Sequence, residues 1–390
     1  MLANLRHLRM FRQVAETGSV TEAALACHVS QPAVTQAMGK IEEILGADLF
    51  QRRPQGLFLT DAGRVLAHRV SRAFLRLDGA MADMAREIRV QASWSQLRAL
   101  IAVTDMENFT LAARRLGLAQ PTVHRAITAL EAAAGTRFFQ RTAHGLIATR
   151  AARGLAQAAR LALAELDQAR ADLAELSGRE VGRIVIGSLP LSRSNLLPEA
   201  LLEFRKQRPS LPVEVIDGRY DEMLTGLRRG DIDMVLGALR MPAPIDDVDQ
   251  KMLFHDSVVI VAGAGHPLAG RRDLTRTDLL AYPWVMARQG TPIRAQLDDF
   301  LAGEAPASVV ETSSVILMRE LLIGSDHLGA LSRMQAQTTA EAQALRILPV
   351  ALPGSDRPIG LTTRTDWEPT IAQRELRDIL IRLGESLRQT

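Results

Sequence analysis

The chain has 390 residues, of which 47% are apolar and 23% charged, a composition that suits about two to four globular domains and argues against long disordered stretches. It has no run of about 18 apolar residues and no signal-peptide core at its amino terminus, so we expect a soluble cytoplasmic protein without a membrane partner. Cys27 is the only cysteine, which excludes an intrachain disulfide and a cysteine-based zinc site; no metal or cofactor is expected.

Charge and proline divide the chain in two. The formal net charge of +3 is the sum of +6 over residues 1–180 and −3 over residues 181–390. A basic surplus made almost entirely of arginine predicts an anionic partner for the first half, above all nucleic acid. Only three of the 17 prolines lie in that half, which is therefore predicted to be helical. The second half alternates β-branched runs with helical stretches, which is typical of an α/β domain with parallel strands.

The first half contains an internal repeat. A shift of 89 residues aligns 8–64 with 97–153 without a gap, and about 20 of the 57 positions are identical. The strongest match sets AALACHVSQPAVTQAM, from Ala23, over AARRLGLAQPTVHRAI, from Ala112. Two copies are too few for a solenoid, which needs about three or more repeats. We therefore interpret them as two copies of one small module.

Each copy is predicted to be a winged helix-turn-helix module. In the first, an amphipathic helix is followed by a capping box at Ser19 and a short second helix. Ser30 then caps a third helix with Pro32 in its first turn. That helix buries one stripe and presents a polar one, which suits the DNA major groove, about 12 Å wide. Two short extended runs around Pro54 and Gly56 have the pattern of a wing.

These surfaces are predicted to bind double-stranded DNA, with bases read by the third helix and phosphates or a narrow minor groove contacted by the wing. In the first module the predicted contacts are Ser30, Gln31, Pro32, Ala33, Thr35, Gln36, Lys40, Arg52 and Arg53. In the second module they are Gln120, Pro121, Thr122, His124, Arg125 and Arg141. The alternative for the wing arginines is that they only solvate a hairpin.

A long helical stretch follows each module, at 61–90 and 150–177. In the second stretch, apolar residues from Leu155 to Leu176 alternate steps of four and three, the spacing of a helix-packing seam. Helices of this kind usually bury their stripe against a partner, so we expect a homodimer or homotetramer built through these linker helices. The alternative is packing within the chain, which applies above all to the first helix.

The sequence resembles the LysR-type transcriptional regulators. The resemblance is carried by AA at 23–24, SQPAVT at 30–35, IE at 41–42, LG at 45–46, LF at 49–50 with Arg52, and LTDAG at 59–63, and continues with RIVIG at 183–187, LRRGDIDM at 227–234 and GHPL at 265–268. It implies an α/β multidomain fold: two winged modules with long linker helices, then an effector domain of two α/β subdomains like those of periplasmic binding proteins. The implied division is module copy 1 at 1–62, linker helix 1 at 63–92, copy 2 at 93–150, linker helix 2 at 151–178, and the effector domain at 181–390, with subdomain I at 181–262 and 350–390 and subdomain II at 263–349.

The second module is a departure, because members of that family ordinarily carry one winged module per chain. It has Ala119 at the position of the capping serine, and His124 and Arg125 where the first module has Thr35 and Gln36. We expect the first module to read bases more faithfully. The second is expected either to bind DNA as well or to serve as a scaffold.

In the two-subdomain fold that the resemblance implies, ligands lie between the subdomains, near strand ends and helix N-termini. The partial positive charge of helix N-termini favours an anionic effector such as a small carboxylate. The residues expected to line this cleft are Ser188, Leu189, Pro190, Arg219, Arg240, Gln289, Gly290, Thr291, Ser313 and Ser314. For Ser313 and Ser314 the alternative is that they only cap a helix.

The function predicted from the sequence is a transcriptional regulator that a small-molecule effector switches. Its expected partners are promoter DNA, the effector, further copies of itself and, by the resemblance, RNA polymerase. We do not expect an enzyme, because the chain has no phosphate-binding loop, no GxSxG nucleophile motif, no HExxH zinc motif and no metal-ligand spacing among its eight histidines. The alternative is an architectural DNA-binding protein whose sensor domain has no ligand.

Overall fold

A computed structural model describes residues 4–54, 56–143, 145–189, 195–337 and 344–388. The chain folds into two compact units, Met1–Gly182 and Arg183–Thr390. The first unit is mostly helical and the second is mixed α/β, as the composition of the two halves predicts.

The first unit contains the same order of elements twice. In chain order its helices and strands are α1 (Leu5–Thr17), α2 (Val20–Ala26), α3 (Gln31–Leu45), β1 (Phe50–Arg53), β2 (Gly56–Leu59), α4 (Asp61–Ala80), α5 (Glu87–Gln91), α6 (Trp94–Met106), α7 (Phe109–Leu116), α8 (Gln120–Ala134), β3 (Phe139–Thr142), β4 (Gly145–Ala148) and α9 (Arg150–Leu176). Three helices, a hairpin and a long helix form α1 to α4 and again α6 to α9. The prediction of two winged helix-turn-helix modules is confirmed.

Local sequence explains where the helices of the first module begin. The Ser19 hydroxyl accepts a hydrogen bond from the Glu22 backbone N–H at 3.3 Å, and the Ser30 hydroxyl accepts one from Ala33 at 3.4 Å. Pro32 falls in the first turn of α3, where its missing N–H leaves no helical hydrogen bond unmade. These caps set the two helices on either side of a tight turn.

The two wings pair in the same register. Phe50 pairs with Leu59 in the first hairpin, and Phe139 pairs with Ala148 in the second, which are equivalent positions after the 89-residue shift. The two hairpins are therefore equivalent elements of the repeat.

The prediction of one linker helix over 63–92 is wrong, because α4 ends at Ala80 and is followed by turns and the short α5. Met81, just past the end of α4, is 1% exposed, and Ile88 in α5 is fully buried. The Ala85 backbone N–H donates to the Ala134 carbonyl at the end of α8, at 3.1 Å. The turn after α4 places Met81, Ala85 and Ile88 against the second module, whereas a continuous helix would carry these residues away from it.

The long helices α4 and α9 pack against each other. Leu66 and Leu77 of α4 share one hydrophobic core with Leu155 and Leu166 of α9 and with both modules. The apolar seam of α9 that was expected to meet a second copy is thus occupied by α4 of the same chain. This contact agrees with the alternative expectation, in which the long helices pack within one chain.

The second unit alternates strands and helices. In chain order they are β5 (Ile184–Ser188), α10 (Leu196–Gln207), β6 (Val213–Asp217), α11 (Tyr220–Arg229), β7 (Met234–Ala238), β8 (Val248–Asp256), β9 (Val258–Gly263), α12 (Arg276–Leu280), β10 (Trp284–Met286), α13 (Pro292–Leu301), β11 (Val309–Glu311), α14 (Val315–Gly324), β12 (Leu328–Ser332), α15 (Arg333–Gln337), β13 (Leu345–Ile347), β14 (Arg357–Arg364) and α16 (Ile371–Ser386).

These strands form two five-stranded sheets, in the orders β6-β5-β7-β14-β8 and β11-β10-β12-β9-β13. In the first sheet β5 runs parallel to β6 and β7, and β14 runs antiparallel to β7 and β8. In the second, β10 runs parallel to β11 and β12, and β9 runs antiparallel to β12 and β13. The predicted fold class, an effector domain of two α/β subdomains, is confirmed.

The limits predicted for the two subdomains are wrong. The chain leaves the first sheet after Asp256 and enters the second at Val258, so the crossing lies at Ser257 and not at 262–263. The chain also returns to the first sheet later than residue 350, because Leu352 still packs in the core of the second sheet and β14 begins at Arg357. An extended apolar run does not mark where a strand changes sheets, so the pattern alone misplaces both limits.

Candidate DNA-binding face and effector site

The residues predicted to contact DNA lie on the outer faces of the two modules. All are exposed except Ala33, which is half-buried; the exposed set is Ser30, Gln31, Pro32, Thr35, Gln36, Lys40, Arg52, Arg53, Gln120, Pro121, Thr122, His124, Arg125 and Arg141. On the opposite face of α3, Val34 and Ile41 are buried, and on that of α8, Val123 and Ile127 are buried. Each third helix therefore keeps its polar edge free of the module core.

Several of these side chains are held by neighbours on their own module. The Gln31 side-chain amide donates to the Thr21 hydroxyl at 2.9 Å, linking the start of α3 to α2. The His124 ring lies 5.2 Å from the ring of Phe109, and Arg125 Nε donates to the Pro121 carbonyl at 3.4 Å. These contacts pre-orient the side chains at the N-terminal end of each third helix.

The first wing is anchored to the end of α1. The Leu57 backbone N–H donates to the Gly18 carbonyl at 3.1 Å. Gly18 has φ of 67°, and a Cβ there would lie 3.1 Å from the Leu57 carbonyl oxygen, so glycine suits this close approach. On the wing itself, the Arg53 guanidinium lies 5.2 Å from the centre of the Phe58 ring, which holds the charge on the outer side of the hairpin.

A glutamate in each third helix ties that helix to its wing, a link that sequence reasoning missed. Glu42 Oε1 accepts the Leu49 backbone N–H at 2.8 Å. Its counterpart, Glu131 Oε1, accepts the backbone N–H of Phe138 at 2.6 Å and that of Phe139 at 3.3 Å. The signal was present, because glutamate recurs at this position in both copies, but its partners are seven or eight residues away along the chain.

A second feature that the sequence reasoning missed is a basic group beside the first third helix. The pKa of His7 is lowered by burial and then by the positive charges of Lys40 and Arg6. Arg6 is exposed at the start of α1 and Lys40 is exposed on α3. Their combined charge suits a DNA phosphate next to the groove.

In the second unit, the predicted effector residues follow the carboxyl ends of parallel strands. Ser188 ends β5, Arg219 follows β6, and Arg240 follows β7. In the second sheet, Gln289, Gly290 and Thr291 follow β10, and Ser313 and Ser314 follow β11.

The register of the strands brings these two edges to the same crossing. Arg357, at the start of β14, pairs with Asp256 at the end of β8. Val258, at the start of β9, pairs with Ser332 at the end of the parallel strand β12. Since only Ser257 separates β8 from β9, the carboxyl edge of each sheet adjoins this crossing. Carboxyl edges of parallel strands are where α/β folds bind ligands.

Two of the predicted residues cap helices. The Thr291 hydroxyl accepts the Arg294 backbone N–H at 3.3 Å, and the Ser314 hydroxyl accepts that of Leu317 at 3.2 Å. Capping leaves the other lone pair of each hydroxyl and the remaining first-turn N–H groups of α13 and α14 available to a ligand. Gln289, Gly290 and Ser313 are exposed nearby.

The other predicted residues differ in exposure. Ser188 and Leu189 are buried, and the Leu189 backbone N–H donates to the Leu236 carbonyl. Arg219 is exposed and pairs with Asp221, with 3.1 Å between Nε and Oδ1. Pro190 lies outside the described residues.

A buried arginine near Arg240, Arg357, was not selected by the sequence analysis; the backbone N–H of Leu239 donates to the Pro358 carbonyl at 2.9 Å, which brings the two chain segments together. The Arg240 guanidinium lies 4.5 Å from the centre of the Tyr220 ring, and burial lowers its pKa. Arg357 is 7% exposed, and its Nε and Nη2 have no hydrogen-bond partner among the described residues. Burial lowers the pKa of Arg357 to about 10, with Asp256 opposing and Arg240 adding to that shift, so its guanidinium stays charged at neutral pH. Arg357 was missed because its burial depends on strand pairing.

Other features of the described residues do not add to this site. A cavity of about 450 Å³ lies between β8, β14 and α16, and none of the predicted effector residues lines it. In the described part of the chain, no group of three or more His, Cys, Asp or Glu side chains is placed to hold a metal ion. Within the same residues, no helix has the length and apolar character needed to span a bilayer.

Comparison with known proteins identifies families for both units. Residues 177–384 match the family described as LysR substrate binding domain. Residues 5–64 and 94–153 each match the family described as bacterial regulatory helix-turn-helix protein, lysR family. The two helix-turn-helix matches are offset by the same 89 residues as the internal repeat.

Curated relatives differ in how much of the chain they cover. The HTH-type transcriptional regulator GalR of Pseudomonas putida is 36% identical over 370 residues, which is 93% of each chain. The HTH-type transcriptional regulator PcaQ of Agrobacterium fabrum is 28% identical over 278 residues, 70% of this chain and 89% of its own. The alignment with GalR therefore spans both modules, whereas that with PcaQ leaves almost a third of this chain unmatched.

Among solved structures, the full-length LTTR LysG from Corynebacterium glutamicum with bound effector Arg is similar to this chain. It has a TM-score of 0.55 at 21% sequence identity and covers 76% of this chain and 99% of that one. At this level of identity the likeness concerns the fold.

Proposed function

Because the chain belongs to the LysR family of DNA-binding transcriptional regulators with effector-binding domains, we propose specific roles for its two winged modules and for the crossing between its two effector sheets. The exposed edges of α3 and α8 read base edges in the major groove. Arg52, Arg53 and Arg141 on the wings contact phosphates or the minor groove. Such a regulator works in the cytoplasm, where bacterial DNA is.

One observation carries the DNA-binding assignment. Both third helices expose polar side chains at their N-terminal ends and bury an apolar stripe on the other side. A helix supported in this way enters the major groove with its fold unchanged, because its core contacts lie away from the DNA. Thr35 and Gln36 in α3, and His124 and Arg125 in α8, are the proposed readers.

The test is equilibrium binding to promoter fragments from the neighbourhood of the protein's own gene. We expect the double variants Thr35→Ala/Gln36→Ala and His124→Ala/Arg125→Ala each to lose about tenfold or more in specific binding, because one good base contact contributes about 1–3 kcal/mol of discrimination. Binding to unrelated DNA should fall less and should keep its steep salt dependence. Arg170→Ala, at an exposed position of α9, is the control. Unchanged specific binding in both double variants would contradict the assignment.

For the effector domain we propose a small anionic metabolite, such as a carboxylate, bound at the crossing between the two sheets. The support is Arg240 and Arg357, whose neighbours Leu239 and Pro358 are joined by a backbone hydrogen bond at the carboxyl edge of the first sheet. Arg357 is buried with two N–H groups unpartnered within the described residues. A buried charged donor without a partner is costly, and a carboxylate would satisfy it. The first turns of α13 and α14 supply further donors from the second sheet.

A thermal shift screen of monocarboxylates and dicarboxylates tests this proposal. A ligand present at about 100 times its Kd should stabilise the chain by about 2.7 kcal/mol. We expect Arg357→Met to abolish the ligand-dependent shift, and Arg374→Gln, at an exposed position of α16, to leave it unchanged. A ligand whose shift survives in Arg357→Met would place the effector elsewhere.

The proposed switch is a change in the angle between the two subdomains of the effector domain when the ligand binds. Its free energy is limited to the difference in ligand affinity between the two states. Contact with RNA polymerase and self-association would transmit the change to transcription. The alternative is an architectural DNA-binding protein, which predicts DNA binding with no stabilisation by any metabolite in the screen.

A further inference from the structure

We propose that the two winged modules form, within one chain, the equivalent of a two-fold dimer made of unlike halves, so that a single chain reads two adjacent and non-identical DNA half-sites. The proposal rests on the proposed DNA-binding function. It concerns how the modules are paired, and it follows from the packing of α4 on α9.

The two long helices use the same face to meet each other. Buried positions of α4 include Gly63, Leu66, Val70, Ala73 and Leu77. The positions 89 residues later in α9 are also buried, namely Ala152, Leu155, Ala159, Ala162 and Leu166. In a two-fold interface both partners contribute the same patch, so this is the arrangement of a dimer contact, here made inside one chain.

The ion pairs show that the two helices run in opposite directions. Arg69, near the middle of α4, reaches Asp172 towards the end of α9, with 2.9 Å between Nη2 and Oδ2. Arg76, further along α4, reaches back to Glu165, with 3.2 Å between Nη2 and Oε1. Antiparallel packing of equivalent faces is what a two-fold axis across the helix pair produces.

The charges on the seam, in contrast, are not equivalent. Arg69, Arg72 and Arg76 on α4 all contact Glu165 on α9, at 3.0, 2.9 and 3.2 Å respectively. The side chains of Arg69 and Glu165 are each only 4% exposed. The positions of α9 equivalent to these arginines are Ala158, Leu161 and Glu165 itself, so α9 carries none of the three positive charges.

This asymmetry disfavours pairing of like helices. Arg69 contacts Glu165, and the position of α4 equivalent to Glu165 is Arg76. Two copies of α4 packed about the same two-fold axis would therefore bury Arg69 of one copy against Arg76 of the other. Two copies of α9 would instead bury Glu165 opposite Ala158, with none of the three arginines to neutralise it. A buried charge that loses its partner is strongly unfavourable, so the seam specifies α4 with α9.

The pairing matters for function because the two readers differ. The first module presents Thr35 and Gln36 at positions where the second presents His124 and Arg125, and its wing carries Arg53 where the second has Thr142. A dimer of identical modules reads a palindrome. A pair of unlike modules held by α4 and α9 reads two half-sites of different sequence.

A charge exchange across the seam tests the proposal in the full chain. One variant reverses the three arginines of α4 (Arg69→Glu/Arg72→Glu/Arg76→Glu), a second reverses α9 (Glu165→Arg/Asp172→Arg), and a combined variant carries all five changes. We expect each one-sided variant to lose more than about tenfold in operator binding and to melt at a lower temperature, and the combined variant to recover most of both. Arg170→Glu, at an exposed position of α9, is the control for charge reversal and should behave as the unchanged chain.

Co-expression of the two one-sided variants distinguishes pairing within a chain from pairing between chains. For pairing within a chain, the mixture should stay as defective as its components. Recovery in the mixture would show that α4 pairs with α9 of another chain, and would overturn the proposal. Failure of the combined variant to recover its melting temperature, while Arg170→Glu folds normally, would also overturn it.

Melting temperature reports the helix pairing without DNA. If the unchanged chain binds no promoter fragment while the melting pattern is as expected, the DNA-binding function fails and the α4–α9 pairing stands. If DNA binding is present and the melting pattern is absent, the pairing fails and the DNA-binding function stands.

Discussion

At the scale of single residues, the two modules differ at two pairs of equivalent left-handed positions, where only one of the two has glycine. Gly18 follows α1 with φ of 67°, but its counterpart Glu107 holds φ of 46° with a full side chain. The turn after the second helix shows the reverse, with His28 at φ of 53° and Gly117 at 65°. A residue with a Cβ in this region costs about 1–2 kcal/mol relative to glycine. Each module therefore has a residue with a side chain at one left-handed position where the other module has glycine.

Glu107→Gly should stabilise the first unit by about 1 kcal/mol, because it removes that strain. The measurement is urea denaturation followed by helix circular dichroism. Gly18→Ala is the matched opposite change and should destabilise, since it adds a Cβ at positive φ, 3.1 Å from the Leu57 carbonyl. Destabilisation by Glu107→Gly would contradict this account of the loop.

The missing cap of α8 is a second difference between the copies. Ala119 holds φ of −73° and ψ of 140°, close to the −76° and 151° of the capping Ser30, but provides no side-chain hydrogen bond. Ala119→Ser should therefore add a cap and about 1 kcal/mol of stability. Urea denaturation measures the gain, and Ser30→Ala should give a loss of similar size. A gain from Ala119→Ser without a loss from Ser30→Ala would show that the two ends differ in more than their caps.

The glutamate that joins each third helix to its wing gives a prediction about DNA binding. Glu42→Ala leaves the Leu49 backbone N–H without its 2.8 Å partner, and we expect about 1–3 kcal/mol lower stability. The wing would also lose its fixed position, so affinity for DNA should fall although Glu42 itself is acidic. Glu42→Gln keeps an acceptor oxygen and should recover most of both properties. Higher DNA affinity in Glu42→Ala, as expected from charge alone, would contradict a positioning role.

Elements were predictable from the sequence where the signal is local. The serine caps and the repeated SQP- and AQP-type starts predict α3 and α8 because caps act within one helical turn. The seam of α9 was visible as periodicity, but periodicity shows only that a face is buried and not what covers it. The end of α4 depends on the burial of Met81 and on the hydrogen bond between Ala85 and Ala134, which are contacts made by the folded unit.

The two candidate sites differ in the same respect. Exposed polar residues on α3 and α8 follow from helix geometry, so the candidate DNA face could be selected from the sequence. Arg357 could not, because only the pairing of β14 with β8 buries it next to Asp256.

The packing of the long helices gives a prediction at the scale of elements. Phe74 of α4 is 1% exposed, and the guanidiniums of Arg9 and Arg12 lie 4.4 and 4.9 Å from its ring centre. Phe74→Ala should lower stability by about 3–5 kcal/mol, because it leaves a cavity between α1 and α4 and removes both cation–ring contacts. Leu75→Ala is the control, since Leu75 is 76% exposed on the same helix. Similar losses from both variants would contradict the packing described.

At the scale of the whole molecule, the chain combines a unit of two unlike winged modules with an α/β unit whose two sheets are connected at Ser257. The basic surplus lies in the first unit, so salt should weaken DNA binding steeply, while the proposed contacts of α3 and α8 would supply discrimination among sequences. Under the proposed switch, a modest difference in ligand affinity between two arrangements of the effector subdomains would be enough to change how the modules engage DNA.

Hydroxyl-radical footprinting on the protein's own promoter tests the central claim most directly. The chain should protect two adjacent half-sites of different sequence; Thr35→Ala/Gln36→Ala should weaken protection mainly at one, and His124→Ala/Arg125→Ala mainly at the other. Equal weakening at both half-sites by either variant, or protection that neither variant alters, would contradict the claim that two distinct modules of one chain read DNA.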